Sequence, residues 1–201
     1  MTRFLLVVAI FLLTACNRPS ETLAKLPDDA VILAFGDSLT YGAGASRQHD
    51  YPSMLAGLTA REVINEGVPG EISSDGLKRL PTLLDQYRPA LLILIHGGND
   101  MLRKIPSAQT VEHLNKMIAE ARNRNIAIVM LGVPQPHLFL LSSADFYRVI
   151  GEEQHILTDL DTLPDILGDK RLKSDMVHPN DEGYQRMAEH IFNLLREAGA
   201  L

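Results

Sequence analysis

The chain has a single cysteine, Cys16. One thiol closes no intramolecular disulfide, and nothing N-terminal to it could form a core, so the folded body has neither a disulfide framework nor a catalytic cysteine. Paired cysteines and a His-Glu-x-x-His segment are also missing, which ranks metal-assisted hydrolysis last among the possible chemistries. The formal net charge of −6 is spread along the chain, and no Lys/Arg cluster of the kind that tracks a phosphate backbone interrupts it. Nucleic acid is therefore not an expected partner. The longest apolar run, Phe4 to Leu13, has ten residues, half of the roughly 20 that a membrane-spanning helix needs. Internal repeats and low-complexity stretches are absent.

What that short run does fit is an export signal. Arg3 supplies a positive start, Phe4 to Leu13 an apolar centre, and Leu13-Thr14-Ala15 the small-residue approach to a cleavage site. The sequence Leu13-Thr14-Ala15-Cys16 resembles the lipobox of bacterial lipoproteins, in which the cysteine becomes the acylated first residue of the mature protein. On this reading residues 1–15 are a lipoprotein signal peptide and 16–27 a lipidated tether, polar from Asn17 to Leu26. Residues 28–201 then form the folded domain, facing the periplasm with Cys16 as its membrane anchor. Asn17 stands where an aspartate often retains such proteins in the inner membrane, so the outer membrane is the expected site. Without residues 1–15 the chain has 186 residues, enough for one domain with a sizeable core.

Within that domain apolar runs alternate with helical patterns. Strands are expected at Val31–Phe35, Glu62–Asn65, Leu91–His96, Ile126–Leu131 and Ile156–Leu160, and helices at Tyr51–Leu58, Ser74–Gln86, Thr110–Asn125, Ala144–Glu153 and Asp181–Ala198. The third helix shows the period best, with Val111, Leu114, Met117, Ile118 and Ala121 on one face and Glu112, Lys116, Glu120 and Arg124 on the other. Such alternation implies an α/β fold on a parallel sheet. Asn180 or Asp181 is suited to cap the last helix.

Four short blocks carry the chemistry. Gly36-Asp37-Ser38-Leu39 follows the first strand, which puts a serine hydroxyl at a strand's carboxyl end, where α/β sheets hold their reacting groups. A hydroxyl is a poor nucleophile until a base takes its proton, and Asp175-Met176-Val177-His178-Pro179 supplies an imidazole with a carboxylate three residues before it. Asp175 can fix the tautomer of His178 and stabilise the imidazolium if the loop is tightly wound. Pro179 disfavours helical torsions at His178 and so keeps the base on a loop. Between these blocks lie Asn65-Glu66-Gly67-Val68-Pro69-Gly70 and Gly97-Gly98-Asn99-Asp100. In them Gly70 in a turn and the Asn99 amide can donate hydrogen bonds to a developing oxyanion. Asp37 and Asp100 read as structural, bonding backbone N–H groups beside tight turns. His49, His113, His137, His155 and His190 show no partner pattern.

Taken in order, the four blocks resemble the SGNH or GDSL family of esterases and lipases, most closely bacterial arylesterases and the periplasmic thioesterase/lysophospholipase group. The resemblance runs from about Val31 to Arg196. It implies a three-layer α/β/α, flavodoxin-like fold with a central, mostly parallel five-stranded sheet, and a cofactor-independent enzyme that hydrolyses carboxylic esters through an acyl-serine intermediate. Thioesters, lysophospholipids and small aryl esters are the implied substrates. By residue it implies Ser38 as nucleophile, His178 as base, Asp175 as its orienter, and Ser38, Gly70 and Asn99 as the oxyanion hole. Two positions differ from the usual pattern: Glu71 stands where relatives often have aspartate, and His96 where an apolar residue or glutamate is common. His96, preceding Gly97, is expected either to border the pocket as a substrate-binding residue or to hold a buried structural role. The apolar run Leu138-Phe139-Leu140-Leu141 is expected either to line an acyl site or rest on a membrane, or else to begin a helix that packs into the core. Deacetylation of cell-envelope sugars, and a catalytically silent envelope-binding lipoprotein on the same scaffold, are the alternative functions.

Overall fold

The structure, a computed structural model, describes residues 22–135 and 141–201. Cys16, His137, Leu138 and Phe139 lie outside the described residues, so the expectations that rest on them pass to the proposals below. Five parallel strands form the sheet: β1 (Val31–Gly36), β2 (Glu62–Gly67), β3 (Leu91–Ile95), β4 (Ala127–Leu131) and β5 (Leu157–Asp159). Their order is β2-β1-β3-β4-β5, the doubly wound arrangement that the sequence alternation implies. All five residues of β3 are buried, because helices cover both faces of the sheet, and a strand buried on both sides reads as one continuous apolar run. The chain winds from β1 outward to β2 and then returns to add β3 on the other side of β1. That reversal opens a crevice at the carboxyl ends of β1 and β3.

Around the sheet lie α1 (Ser38–Tyr41), α2 (Tyr51–Thr59), α3 (Ser73–Tyr87), α4 (Gly98–Leu102), α5 (Ser107–Arg122), α6 (Asp145–Gln154), α7 (Thr162–Gly168) and α8 (Asp181–Glu197). The five expected helices and five expected strands are present, with ends shifted by up to three residues. In α5, Leu114, Met117, Ile118 and Ala121 are buried, as the periodicity requires. In α8 the buried set Tyr184, Met187, Ala188, Ile191 and Leu195 repeats at three- and four-residue intervals, and the Asn180 side chain caps the helix by accepting from the Gly183 N–H at 3.0 Å. Three short α-helices among the described residues, α1, α4 and α7, do not follow from the sequence pattern. Two of them, α1 and α4, have four and five residues, too few to establish a helical apolar period.

Within the stretch expected as a tether, residues 23–27 are bonded to the domain. The Leu23 N–H donates to the Ala198 carbonyl and the Leu26 N–H to that of Ala200, both at 2.8 Å. Leu26 is buried, and its backbone also meets Arg61, whose guanidinium donates to the Leu26 and Pro27 carbonyls. The apolar residues of the stretch, Leu23 and Leu26, account for its docking, which the polar residues around them concealed. Among the described residues no helix is long and apolar enough to cross a membrane.

Candidate active site

Each of the four blocks sits at the carboxyl end of a strand or on the loop before α8. Ser38 is the first residue of α1, directly after β1, and Asp37 before it caps the helix by accepting from the Leu39 N–H at 3.1 Å. This carboxylate is enclosed, and burial pushes its pKa above the ordinary value against the opposing effects of neighbouring imidazoles and of the hydrogen bonds from Leu39 and Asn99. The structural role read for Asp37 is thus what the geometry shows.

His178 lies on the loop before α8, which is held closed by Ser174. The Ser174 N–H donates to the His178 carbonyl at 3.0 Å and its hydroxyl to the Pro179 carbonyl at 3.1 Å. A second set of bonds ties the loop after Ser38 to the same helix: the Tyr184 hydroxyl donates to the Ala43 carbonyl at 2.9 Å, and the Ser46 N–H and hydroxyl both donate to Asp181. The outcome is a relay. Ser38 Oγ stands 2.9 Å from His178 Nε2, and His178 Nδ1 stands 2.7 Å from Asp175 Oδ2. Asp175 Oδ1 accepts the N–H groups of Val177 and His178, each at 2.8 Å. With a carboxylate at Nδ1, that nitrogen carries the proton and Nε2 is left to accept the serine's. Partial burial tends to raise the pKa of Asp175, but the His178 hydrogen bond and the two backbone N–H bonds prevail and hold it below the ordinary carboxylate value.

Gly70 occupies the third position of a turn from Val68 to Glu71, closed by the Glu71 N–H donating to the Val68 carbonyl at 3.1 Å. With Pro69 before it and a φ of 78° at Gly70, this is a type II turn, which favours glycine at that position. The turn is sewn to the Ser38 strand by the Val68 N–H donating to the Gly36 carbonyl at 3.0 Å. Asn99, in the first turn of α4, donates from Nδ2 to Asp37 Oδ2 at 3.1 Å and to the Glu71 carbonyl at 3.0 Å. Both protons of its amide are therefore committed in the free protein. By contrast, the N–H groups of Ser38 and Gly70 donate to no protein group among the described residues.

His96 requires a correction. Its ring is fully buried, bonded through Nε2 to Glu71 Oε2 at 3.1 Å and through Nδ1 to the Gly97 N–H at 3.0 Å. A side chain enclosed on both polar edges lies behind the pocket and does not border it. His113 and His190 do have partners, which sequence separation hid: His113 Nδ1 lies 2.8 Å from Ser73 Oγ, and His190 Nε2 lies 3.3 Å from Asp159. The Ser73 hydroxyl also donates to Asp100, so serine, histidine and aspartate meet twice in this fold. The second meeting is sealed, since Ser73 has no exposed surface, and it serves to join α3, α4 and α5. Two arginines escaped the sequence reading. Arg103 donates to the Gly70 carbonyl at 2.8 Å, and Arg79 grips Glu71. Neither bond leaves a local motif, since the partners lie 33 and eight residues apart in the sequence. Among the described residues no group of three or more His, Cys, Asp or Glu side chains converges as metal ligands would.

A parallel sheet with a Ser–His–Asp relay at its switch point, and free backbone donors beside the serine, defines an acyl hydrolase. Comparison with known proteins narrows the class. Residues 34–186 match the GDSL-like Lipase/Acylhydrolase family, and the chain belongs to it. It is 30% identical over 206 residues to an arylesterase of Vibrio mimicus, covering 95% of this chain and 96% of that protein. It is 27% identical to the thioesterase 1/protease 1/lysophospholipase L1 of Escherichia coli, over 82% of this chain and 83% of that one. The psychrotrophic esterase EstA of Pseudoalteromonas sp., solved with monoethylphosphonate as inhibitor, superposes with a TM-score of 0.73 at 22% identity, over 84% of this chain and 98% of its own. The protein is a serine-dependent carboxylic ester hydrolase of the GDSL type, on the three-layer fold of its relatives.

Proposed function

We propose that Ser38 is the nucleophile, His178 the general base and then acid, and Asp175 the group that orients and charges it. The observation that carries this is the unbroken relay from Ser38 Oγ to His178 to Asp175, at 2.9 and 2.7 Å. His178 Nε2 takes the hydroxyl proton as Oγ attacks the ester carbonyl, and returns it to the departing alcohol or thiol. A water, activated by the same nitrogen, then cleaves the acyl-serine. The developing oxyanion is met by the N–H groups of Ser38 and Gly70, which are free to receive it, and by the Asn99 amide, which must release the Glu71 carbonyl or share its proton. A purified sample treated with an aryl phosphonate should lose p-nitrophenyl butyrate hydrolysis in proportion to label recovered on the Ser38 peptide. Label on any other serine would refute the assignment.

The substrates proposed are short to medium acyl esters and thioesters. A cavity of about 700 Å³ lies beside α4, lined on its apolar side by Met101, Leu102, Ile105, Ala144 and Phe146, within the range of small-molecule sites. None of Ser38, Gly70, Asn99 and His178 lines it; Met101 and Leu102, two and three residues after Asn99 in α4, are proposed to lead an acyl chain from the oxyanion hole to this wall. Leu138 and Phe139 are proposed to extend the same wall. Each buried methylene contributes about 0.8 kcal/mol, but only as far as the apolar wall continues. Turnover efficiency on p-nitrophenyl esters should rise from acetate to a short or medium chain and then level or fall. Leu102→Asp and Leu138→Asp should each move that optimum toward shorter chains while sparing acetate. An unchanged profile in both variants would disprove the acyl groove.

Cys16 is proposed to carry the lipid anchor, with residues 1–15 as its signal peptide and the domain facing the periplasm from the outer membrane. The support is the single cysteine at the end of a lipobox-like sequence. Cys16→Ala should abolish incorporation of labelled fatty acid in cells, and a chain beginning after Cys16 should keep full activity in solution. Labelled lipid on the Cys16→Ala protein would overturn the anchor.

A further inference from the structure

Glu71 and His96 touch each other behind the site. The Glu71 side chain is 7% exposed and lies in a web of directional bonds. Its Oε1 accepts from Arg79 Nε at 2.7 Å and its Oε2 from Arg79 Nη2 at 2.8 Å, a bidentate grip. Oε2 also lies 3.1 Å from His96 Nε2. The His96 tautomer follows from its other edge: Nδ1 accepts the Gly97 N–H and so carries no proton, which leaves Nε2–H to donate to Glu71. Burial alone would raise the Glu71 pKa, yet the hydrogen bonds from His96 and Arg79 and the arginine charge hold it below its ordinary value. The space is tight as well. A Cβ at Gly76 would collide with His96 Nε2 and press on Glu71 Oε2 at 3.2 Å, so α3 passes over the pair only because that residue is glycine.

Two of the three oxyanion donors proposed above, Gly70 and Asn99, hang from the backbone of this one residue. The Gly70 N–H is one peptide away, in the turn that the Glu71 N–H closes. The Asn99 amide is held by the Glu71 carbonyl. Arg79 meanwhile runs from Glu71 to the Gly36 and Glu66 carbonyls, at 3.2 and 2.8 Å, where β1 and β2 end. His96 leads to Gly97, the residue before α4. The side chain of Glu71 is thus tied to all three strand ends that carry Ser38, Gly70 and Asn99. We infer that Glu71 and His96, with Arg79, act as positioning residues that set the geometry of the oxyanion hole. This rests on the assignment of Ser38, Gly70 and Asn99 in the preceding section. Removing one partner of a buried ion pair destabilises the fold, so a purely structural role would appear in the melting temperature and spare the transition state.

The test is a cycle on the full folded domain with a short aryl ester. Glu71→Gln keeps the volume and removes the charged grip. It should lower kcat about tenfold or more with KM within about twofold, because the loss falls on an interaction made in the transition state. Phosphonate inactivation, which also builds charge on an oxygen in the hole, should slow by the same factor. Glu71→Gln/Asn99→Ala should be slower than Asn99→Ala alone by clearly less than the full Glu71→Gln factor, since part of the Glu71 effect runs through the Asn99 amide and part through the Gly70 turn. A folded Glu71→Gln enzyme with kcat within about twofold of wild type, or losses that multiply in the double variant, would overturn the clamp. If Glu71→Gln does not fold, His96→Phe against His96→Gln decides instead. The first removes the donor to Glu71 and should lose turnover, whereas the second restores an N–H and should recover at least part; equal and full activity in both rejects the idea. Ser38→Ala assayed in parallel separates the two levels: substantial residual activity there defeats the site assignment itself, while an inactive Ser38→Ala beside a normal Glu71→Gln defeats only the clamp.

Discussion

Replacing Ser38 by alanine is expected to lower ester turnover about 10³-fold or more while leaving circular dichroism and the melting temperature near those of the wild type. The hydroxyl is the only group at hydrogen-bond distance from His178 Nε2 among the described residues, and alanine fits the first turn of α1 without strain. The N–H of residue 38 and the Gly70 turn survive the change, so a small residual rate from the oxyanion donors should remain. His178→Ala should be about as damaging. The double variant should be little worse than either single one, because nucleophile and base act as one unit and losing either ends the covalent route. A well-folded Ser38→Ala protein retaining more than about a tenth of wild-type turnover would sink the mechanism.

Asp175→Asn should be nearly as severe, for a reason specific to this loop. Asp175 Oδ1 accepts two backbone N–H groups, from Val177 and His178. Asparagine can satisfy both only by placing its carbonyl oxygen there, which turns its NH₂ toward His178 Nδ1. That nitrogen must then accept, so the proton moves to Nε2 and the imidazole can no longer take the proton of Ser38. A loss of about 10³–10⁴ in kcat is expected, as for a triad histidine held in the wrong tautomer. Asp175→Ala leaves the tautomer free and should be milder. Nitrogen-15 shifts of His178 would show the tautomer directly. If Asp175→Asn outperforms Asp175→Ala, the carboxylate does not orient the base.

The strands were legible because the sheet is covered on both faces, so that Leu91 to Ile95 reads as an unbroken apolar run. The long helices were legible because an amphipathic period needs several turns to declare itself, and α5 and α8 have 16 and 17 residues. The same reasoning explains what was hidden: α1 and α4, which present Ser38 and Asn99, are shorter than the period that would reveal them. The relay was partly readable from Asp175 and His178, three residues apart, but Ser38 joins it from 140 residues away. Long-range polar bonds leave no local pattern, which is why His96 was expected in the pocket when Glu71, 25 residues earlier, holds it behind.

The seating of Leu23 and Leu26 on Ala198 and Ala200 gives the domain a heading. That seam lies at the carboxyl end of α8, whereas Ser38 and His178 lie at the helix's other end. The helix has 17 residues, which sets the two ends about 25 Å apart. From Cys16 to Thr22 a fully extended chain reaches about 20 Å. A protein moored to a bilayer through Cys16 would therefore ride with its catalytic mouth turned away from that leaflet, and would draw its esters from the aqueous space ahead of it before it could graze the lipids beneath.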